Sequence, residues 1–221
     1  MFFKSNIVAL AKKFQTIQQY SDFGEDKTIE KMAPLGLKSY LDIGAGHPII
    51  GSNTYYFYKM GFKGVTIEPI QFHSRLHKFV RSKDHQVNAL VSNNNEIRNF
   101  YEFNPTQYST TSFKHYKKLT QLGMRPRKIY KVSSVSINRI IEAFFDLPFF
   151  ISIDCEGFDL EILKQIHPNN YKNVFAIIIE IPSDKSDKNQ ILKILKSNKF
   201  NLHSTTKNNY IFRKATNKSC R

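Results

Sequence analysis

The sequence predicts a doubly wound α/β fold: a mostly parallel, seven-stranded sheet that ends in an antiparallel hairpin. Three observations predict it. Apolar strand segments alternate with amphipathic helical segments from residue 38 to residue 197, and such alternation gives a parallel sheet flanked by helices. Two strands, PFFISID at 148–154 and VFAIIIEI at 174–181, are continuous apolar runs, which suit strands covered on both faces. The last two strands, 200–205 and 209–213, flank Lys207-Asn208-Asn209, a hairpin turn signal.

The elements follow in order. Ile7, Val8, Leu10, Ala11 and Phe14 fall near helical spacing and predict a helix over 4–19. A polar turn, Ser21 to Asp26, leads to a short helix over 27–35 that stops near Pro34. Residues 1–36 thus read as a helical cap on a Rossmann-like core, 37–221, in one domain. The first strand, 38–43, runs into Gly44-Ala45-Gly46. Ser52 or Asn53 can cap a helix over 54–60, and Gly61 ends it. A strand over 64–68 is stopped by Pro69; a helix over 71–81 and a third strand over 86–92 follow. Residues 93–130 carry a short strand near Phe100–Phe103, a Ser/Thr-rich loop from Tyr108 to Ser112, and a basic stretch from Lys114 to Lys131. A strand over 130–135 precedes a helix over 137–145, capped by Ser136. Helices over 158–166 and 187–197 follow the two apolar strands.

Composition bounds the function. A chain of 221 residues with 41% hydrophobic and 23% charged residues can bury one sizeable core. No apolar run approaches the ~20 residues that span a bilayer, and the N-terminus does not read as a secretory leader. Two cysteines, Cys155 and Cys220, make neither a disulfide framework nor a metal cluster, so a cytoplasmic setting is expected. The net charge of +15 points either to a polyanionic partner, nucleic acid or an anionic membrane face, or to a lysine-rich genome. The basic residues read as scattered, which favours the second.

Ligands of open α/β sheets bind beyond the carboxyl ends of the strands. The residues at those ends are Asp42, Glu68, Ser92, Asp154 with Glu156, and Glu180. Carboxylates crowded on an apolar rim are costly unless they bind cations, donors or a metal. The pattern suits S-adenosylmethionine. Glu68 would take the ribose hydroxyls, and the Gly44–Gly46 turn would admit the amino-acid part. Asp42 would sit beneath the turn, and Val91 and Ser92 would border the adenine. A nicotinamide dinucleotide fits less well: its third glycine is replaced by Ile49, and Asp42 would stand near the phosphates.

The segments SDFGED at 21–26, YLDIGAGHPIIGSNTYYFYKMGFKGVTIEP at 40–69, VNALVS at 87–92 and ISIDCEGFDLEIL at 151–163 together resemble the FkbM family of S-adenosylmethionine-dependent methyltransferases. Asp154-Cys155-Glu156-Gly157 is the most specific of these matches. The family usually has Gln where this chain has Asp22. The resemblance implies a class I methyltransferase that methylates a hydroxyl of a sugar in a glycan, polysaccharide or glycolipid, or of a natural product. It places Asp42, Gly44, Gly46, Glu68 and Ser92 in the cofactor site, with Glu25 and Asp26 helping to close it and Asp154 and Glu156 facing the transferred methyl; Ala45, Asn53, Pro69, Val91 and Asp154 are further candidates for contact with the cofactor.

Transfer to an alcohol needs alignment of two reactants and removal of a proton. Asp154 is the first candidate base and His47 the second. Glu156 either faces the transferred methyl or accepts the turn's amides. Asp154, Glu156 and Glu180 are candidate oxygen ligands of a magnesium ion. Cys155 reads as a small buried residue. A nucleic-acid methyltransferase and a non-enzymatic binding module are the competing readings.

Overall fold

The computed structural model describes residues 19–94 and 96–215. The helix expected over 4–19 lies, but for its last residue, outside them. The described chain runs α1 (Glu25–Met32), β1 (Ser39–Ile43), α2 (Tyr55–Lys59), β2 (Lys63–Ile67), α3 (Gln71–Val80), β3 (His85–Val87), β4 (Leu90–Val91) and β5 (Ile97–Glu102). It continues through α4 (Phe113–Gln121), β6 (Lys128–Val135), α5 (Ile137–Phe144), β7 (Phe149–Ile153), α6 (Asp159–Gln165), β8 (Val174–Glu180), α7 (Lys185–Ser197), β9 (Phe200–Thr205) and β10 (Asn209–Lys214). Among the described residues, no helix is long and apolar enough to cross a membrane.

The main sheet has seven strands in the order β3-β2-β1-β7-β8-β10-β9. Its first five are parallel, and β10 is antiparallel to both β8 and β9. This is the mostly parallel sheet with a terminal hairpin that the alternation predicts. Side chains alternate across each strand, so one strand feeds two cores. Leu41, Ile43, Ile151, Ile153, Ile177 and Ile179 pack with Ile137, Ile141, Leu160, Leu163, Ile191 and Leu195 from α5, α6 and α7. Tyr40, Phe150, Ala176 and Ile178 pack with Ile29 and Met32 of α1 and Phe57 of α2 on the other face. Both faces are therefore covered, which is why β7 and β8 are apolar without interruption.

Two expectations need correction. The third strand is two pieces: β3 stays in the main sheet, whereas β4 pairs with β6. The break follows from Asn88, whose Nδ2 donates to the Glu68 and Pro69 carbonyls and turns the chain away. The strand at 130–135 begins at Lys128 and is the centre of a separate three-stranded sheet, β4-β6-β5. Its alternating KIYKVSSV sequence matches a half-exposed strand rather than a doubly covered one. The first part of the basic stretch lies in α4, which is capped by Ser112, and its last residues open β6. At α2, the Ser52 hydroxyl accepts the Thr54 and Tyr55 amides, while Asn53 donates to Ser152 instead.

Candidate active site

The β1–α2 turn is built by close backbone approach. Gly44 and Gly46 both have positive φ, 74° and 53°. A Cβ on Gly44 would fall 1.8 Å from the Asp154 carbonyl oxygen, so glycine alone fits there. The amides of Gly44 and Ala45 donate to the Ile67 carbonyl. The Gly46 amide donates to Glu68 Oε2 at 2.8 Å, and the Ile70 amide to Glu68 Oε1 at 2.6 Å. Burial pushes the Glu68 carboxyl up to about 7, against the pull of those two amides. Each carboxylate oxygen keeps a further lone pair for a ligand hydroxyl.

A buried ionic network underlies the turn. Arg81, fully buried, pairs with Asp84 at 2.8 Å and donates to Thr54 Oγ1 and Tyr40 Oη. Asp42 accepts from the Thr54 hydroxyl and lies 3.8 Å from Arg81. Burial raises the Asp42 carboxyl, and Arg81 and Thr54 draw it back. His77 Nε2 donates to the Gly46 carbonyl at 3.1 Å, and burial lowers its imidazole to about 3. Arg81, Asp84 and His77 were not singled out from sequence. They lie on and just after α3, where a charged residue ordinarily faces water; only the fold turns them inward.

The β7–α6 loop carries the second half of the site. Asp159, buried in the first turn of α6, accepts the amides of Cys155 at 3.0 Å and Gly157 at 3.1 Å. That is the part expected of Glu156, which instead has a left-handed φ of 49° and an exposed side chain. Asp154 is open to the cleft. Enclosure by protein, reinforced by Asp159 and Glu180, pushes its carboxyl up to about 7. Partial desolvation at the cleft wall, then neighbouring carboxylates, pushes Glu156 and Glu180 up to about 7. Burial holds the Cys155 thiol well above its usual range, hence protonated.

Two cavities meet at Asp154 and Glu156. The first, about 430 Å³, lies between the glycine turn, Glu68–Ile70, Ala89–Ser92 and the β7–α6 loop. Its apolar wall includes Ala89, Val91, Phe100 and Ile162. The buried Nδ1 of His73, on the same wall, has no hydrogen-bond partner. A nucleoside cofactor fits this arrangement: the size suits one, the wall suits a base, and Glu68 suits a ribose. The second cavity, about 700 Å³, is lined by Asp22, Glu25, Asn53, Asp154, Glu156, Glu180 and Asn209, and by His115, Lys118 and Leu122 in and just after α4.

The structure places the expected residues unequally. Gly44, Gly46, His47, Glu68, Pro69, Val91, Ser92, Asp154 and Glu156 line the first cavity. Glu25 and Asn53 line the second, where Glu25 accepts from Thr206 and Asn209. Asp42 and Ala45 lie on neither wall; Asp26 closes the 20–27 turn by accepting from Tyr20, Ser21 and Lys27. Among the described residues, no three acidic, His or Cys side chains assemble a metal site, so the magnesium set of Asp154, Glu156 and Glu180 is not formed. His47 Nδ1 accepts the amides of Ile49 and Ile50. A neutral imidazole so held carries its proton on Nε2.

Comparison with known proteins follows this geometry. The family model described as the methyltransferase FkbM domain matches residues 42–202. No curated protein matches. Among solved structures, a Pyrococcus horikoshii protein assigned as an RNA methyltransferase is similar at 9% identity, with a TM-score of 0.46 and 88% of this chain and 81% of that chain covered. A TehB-like S-adenosylmethionine-dependent methyltransferase from Corynebacterium glutamicum shares 12% identity, with a TM-score of 0.44 and coverage of 96% and 97%. An O-methyltransferase from Bacillus cereus, solved with SAH, shares 12% identity, with a TM-score of 0.41 and coverage of 94% and 88%.

Proposed function

This chain belongs to the FkbM methyltransferase family, and from that premise we propose that it methylates a hydroxyl of a sugar in a glycan, polysaccharide or glycolipid. The observation that carries the proposal is the meeting of two cavities at Asp154. One suits a nucleoside, and the other is lined by carboxylates and amides, the groups that hydrogen-bond a polyhydroxylated acceptor.

When bound, S-adenosylmethionine supplies an electrophilic sulfonium methyl. Glu68 would hold the ribose hydroxyls while keeping the Gly46 and Ile70 amides. Asp154 would accept the acceptor's hydroxyl proton, as its carboxyl sits near neutrality and opens on both cavities. His47 is not the base in this reading. Its Nδ1 is engaged by two amides, which leaves the Nε2 proton to donate to a ligand oxygen. Asp159 acts through the loop, holding Asp154–Gly157 in shape. Alignment of hydroxyl and methyl by these fixed walls supplies much of the acceleration.

Calorimetric titration with S-adenosylmethionine tests the first half. Wild type is expected to bind and Glu68→Ala to lose binding; no heat from wild type overturns the reading. Mass spectrometry of glycans from a host lacking the gene tests the second half. Loss of one O-methyl from one monosaccharide is expected, and an unchanged glycan profile removes the sugar acceptor.

A further inference from the structure

The charge of this protein is strongly segregated. Between Glu102 and Glu142 there is no Asp or Glu, and this stretch carries eight Lys and Arg residues. All eight are exposed. Among the described residues, only Arg127 of the eight has an acidic partner, Glu102 at 3.7 Å. The fold places Lys114, Lys117 and Lys118 on α4 and Lys128 and Lys131 on β6, and Lys118 lines the second cavity.

Large apolar side chains stand among these cations. Phe113, Leu122 and Ile129 are 56%, 71% and 53% exposed. They are contiguous with the small sheet: Tyr101 lies opposite Ile129 in the ladder and stacks on Tyr116 of α4 at 4.2 Å. Lys117 lies over the Phe113 ring at 4.9 Å. At the inner edge of this face, His115, Lys118 and Leu122 form part of the second cavity's wall.

We infer that the α4–β6 face is a docking surface for an anionic bilayer, which presents a lipid-borne acceptor to the second cavity. The identity of that acceptor rests on the function proposed above; the docking surface does not. Cations attract anionic headgroups within a Debye length. Apolar side chains between them enter the boundary between headgroups and acyl chains. A polynucleotide fits the same cations less well. Exposed Leu122 and Ile129 give no stacking platform, and Phe113 and Tyr116 stack on each other. Five carboxylates behind the face, Asp22, Glu25, Asp154, Glu156 and Glu180, repel phosphodiesters at the cavity itself.

Co-sedimentation of the full chain with vesicles tests this. Wild type is expected to sediment with phosphatidylcholine vesicles that contain phosphatidylserine, and not with pure phosphatidylcholine. Lys114→Glu with Lys117→Glu is expected to lower partition roughly tenfold or more at low salt. Ile129→Ser is expected to lower it severalfold at low and high salt alike, since apolar insertion is not screened. Both variants should keep the wild-type circular dichroism spectrum and titrate with S-adenosylmethionine as wild type does. Absence of sedimentation with anionic vesicles overturns the inference, as does equal partition of the charge-reversed variant. Salt-dependent binding of polyuridylate in place of vesicles also overturns it, and assigns the face to nucleic acid. Vesicle binding without S-adenosylmethionine binding supports the surface while overturning the methyl-transfer reading.

Discussion

Glu68 and Asp154 both end parallel strands, and enclosure by protein pushes both carboxyls up to about 7. At Glu68 two amides oppose that rise; at Asp154 the neighbouring carboxyls of Asp159 and Glu180 add to it. In the folded protein Glu68 keeps its proton between its ordinary 4.5 and about 7, while the unfolded chain releases it there. Its contribution to stability therefore falls as pH rises through that window and is level above it. Urea unfolding at pH 5 and pH 8 should show wild type losing more stability between the two than Glu68→Gln; equal losses refute the assignment. For Asp154 the expected readout is kinetic. The value of kcat/KM should rise with pH to a plateau above about 7, and Asp154→Asn should cost about 10²–10⁴-fold with cofactor affinity within a few fold of wild type. An unchanged pH profile in the Asn variant would remove Asp154 as the base. Both residues were legible in sequence because each is an acid closing an apolar strand. Asp159 and Arg81 were not, since an acid in the first turn of a helix and an arginine after its last turn ordinarily need no explanation beyond the helix dipole and solvent.

At the scale of elements, the strands and helices of the main sheet were legible because periodicity and apolar runs report burial directly. The third strand was misread as one piece. Nothing in QVNALVS marks a change of sheet; the break depends on Asn88 reaching carbonyls of the β2–α3 junction, a tertiary contact. The place of β6 was readable in hindsight from its exposed lysines. Two predictions belong here. Gly44→Ala should displace the β1–α2 turn or the β7 end, because the new Cβ meets backbone rather than a flexible side chain. Loss of cofactor binding with a stability cost on the order of 1–3 kcal/mol is expected, and titration with denaturation measures both. Arg81→Met should cost about 3–5 kcal/mol in chemical denaturation, because it strands Asp84 and Asp42 without their buried cation. A loss under about 1 kcal/mol would contradict this role for Arg81.

At the scale of the whole molecule, two cavities share one wall, and only one of them needs to be filled for the fold to tighten. At about 100 times Kd, S-adenosylmethionine should add about 2.7 kcal/mol. For a chain of this size that raises the thermal midpoint by roughly 5–10 °C. A differential scan with no shift would contradict the cofactor assignment. Net charge and the acid-free stretch from 103 to 141 are legible in sequence, but chain order alone does not show that Tyr116 of α4 packs on Tyr101, the ladder partner of Ile129 in β6. Gly44 rests against the Asp154 main chain, and β1 pairs with β7 over five residues. The spacing between the glycine turn and Asp154 is thus set by backbone and cannot be retuned by side-chain replacement. Divergence at this site is left to the walls of the second cavity and the α4 face, while the paired strands stay fixed.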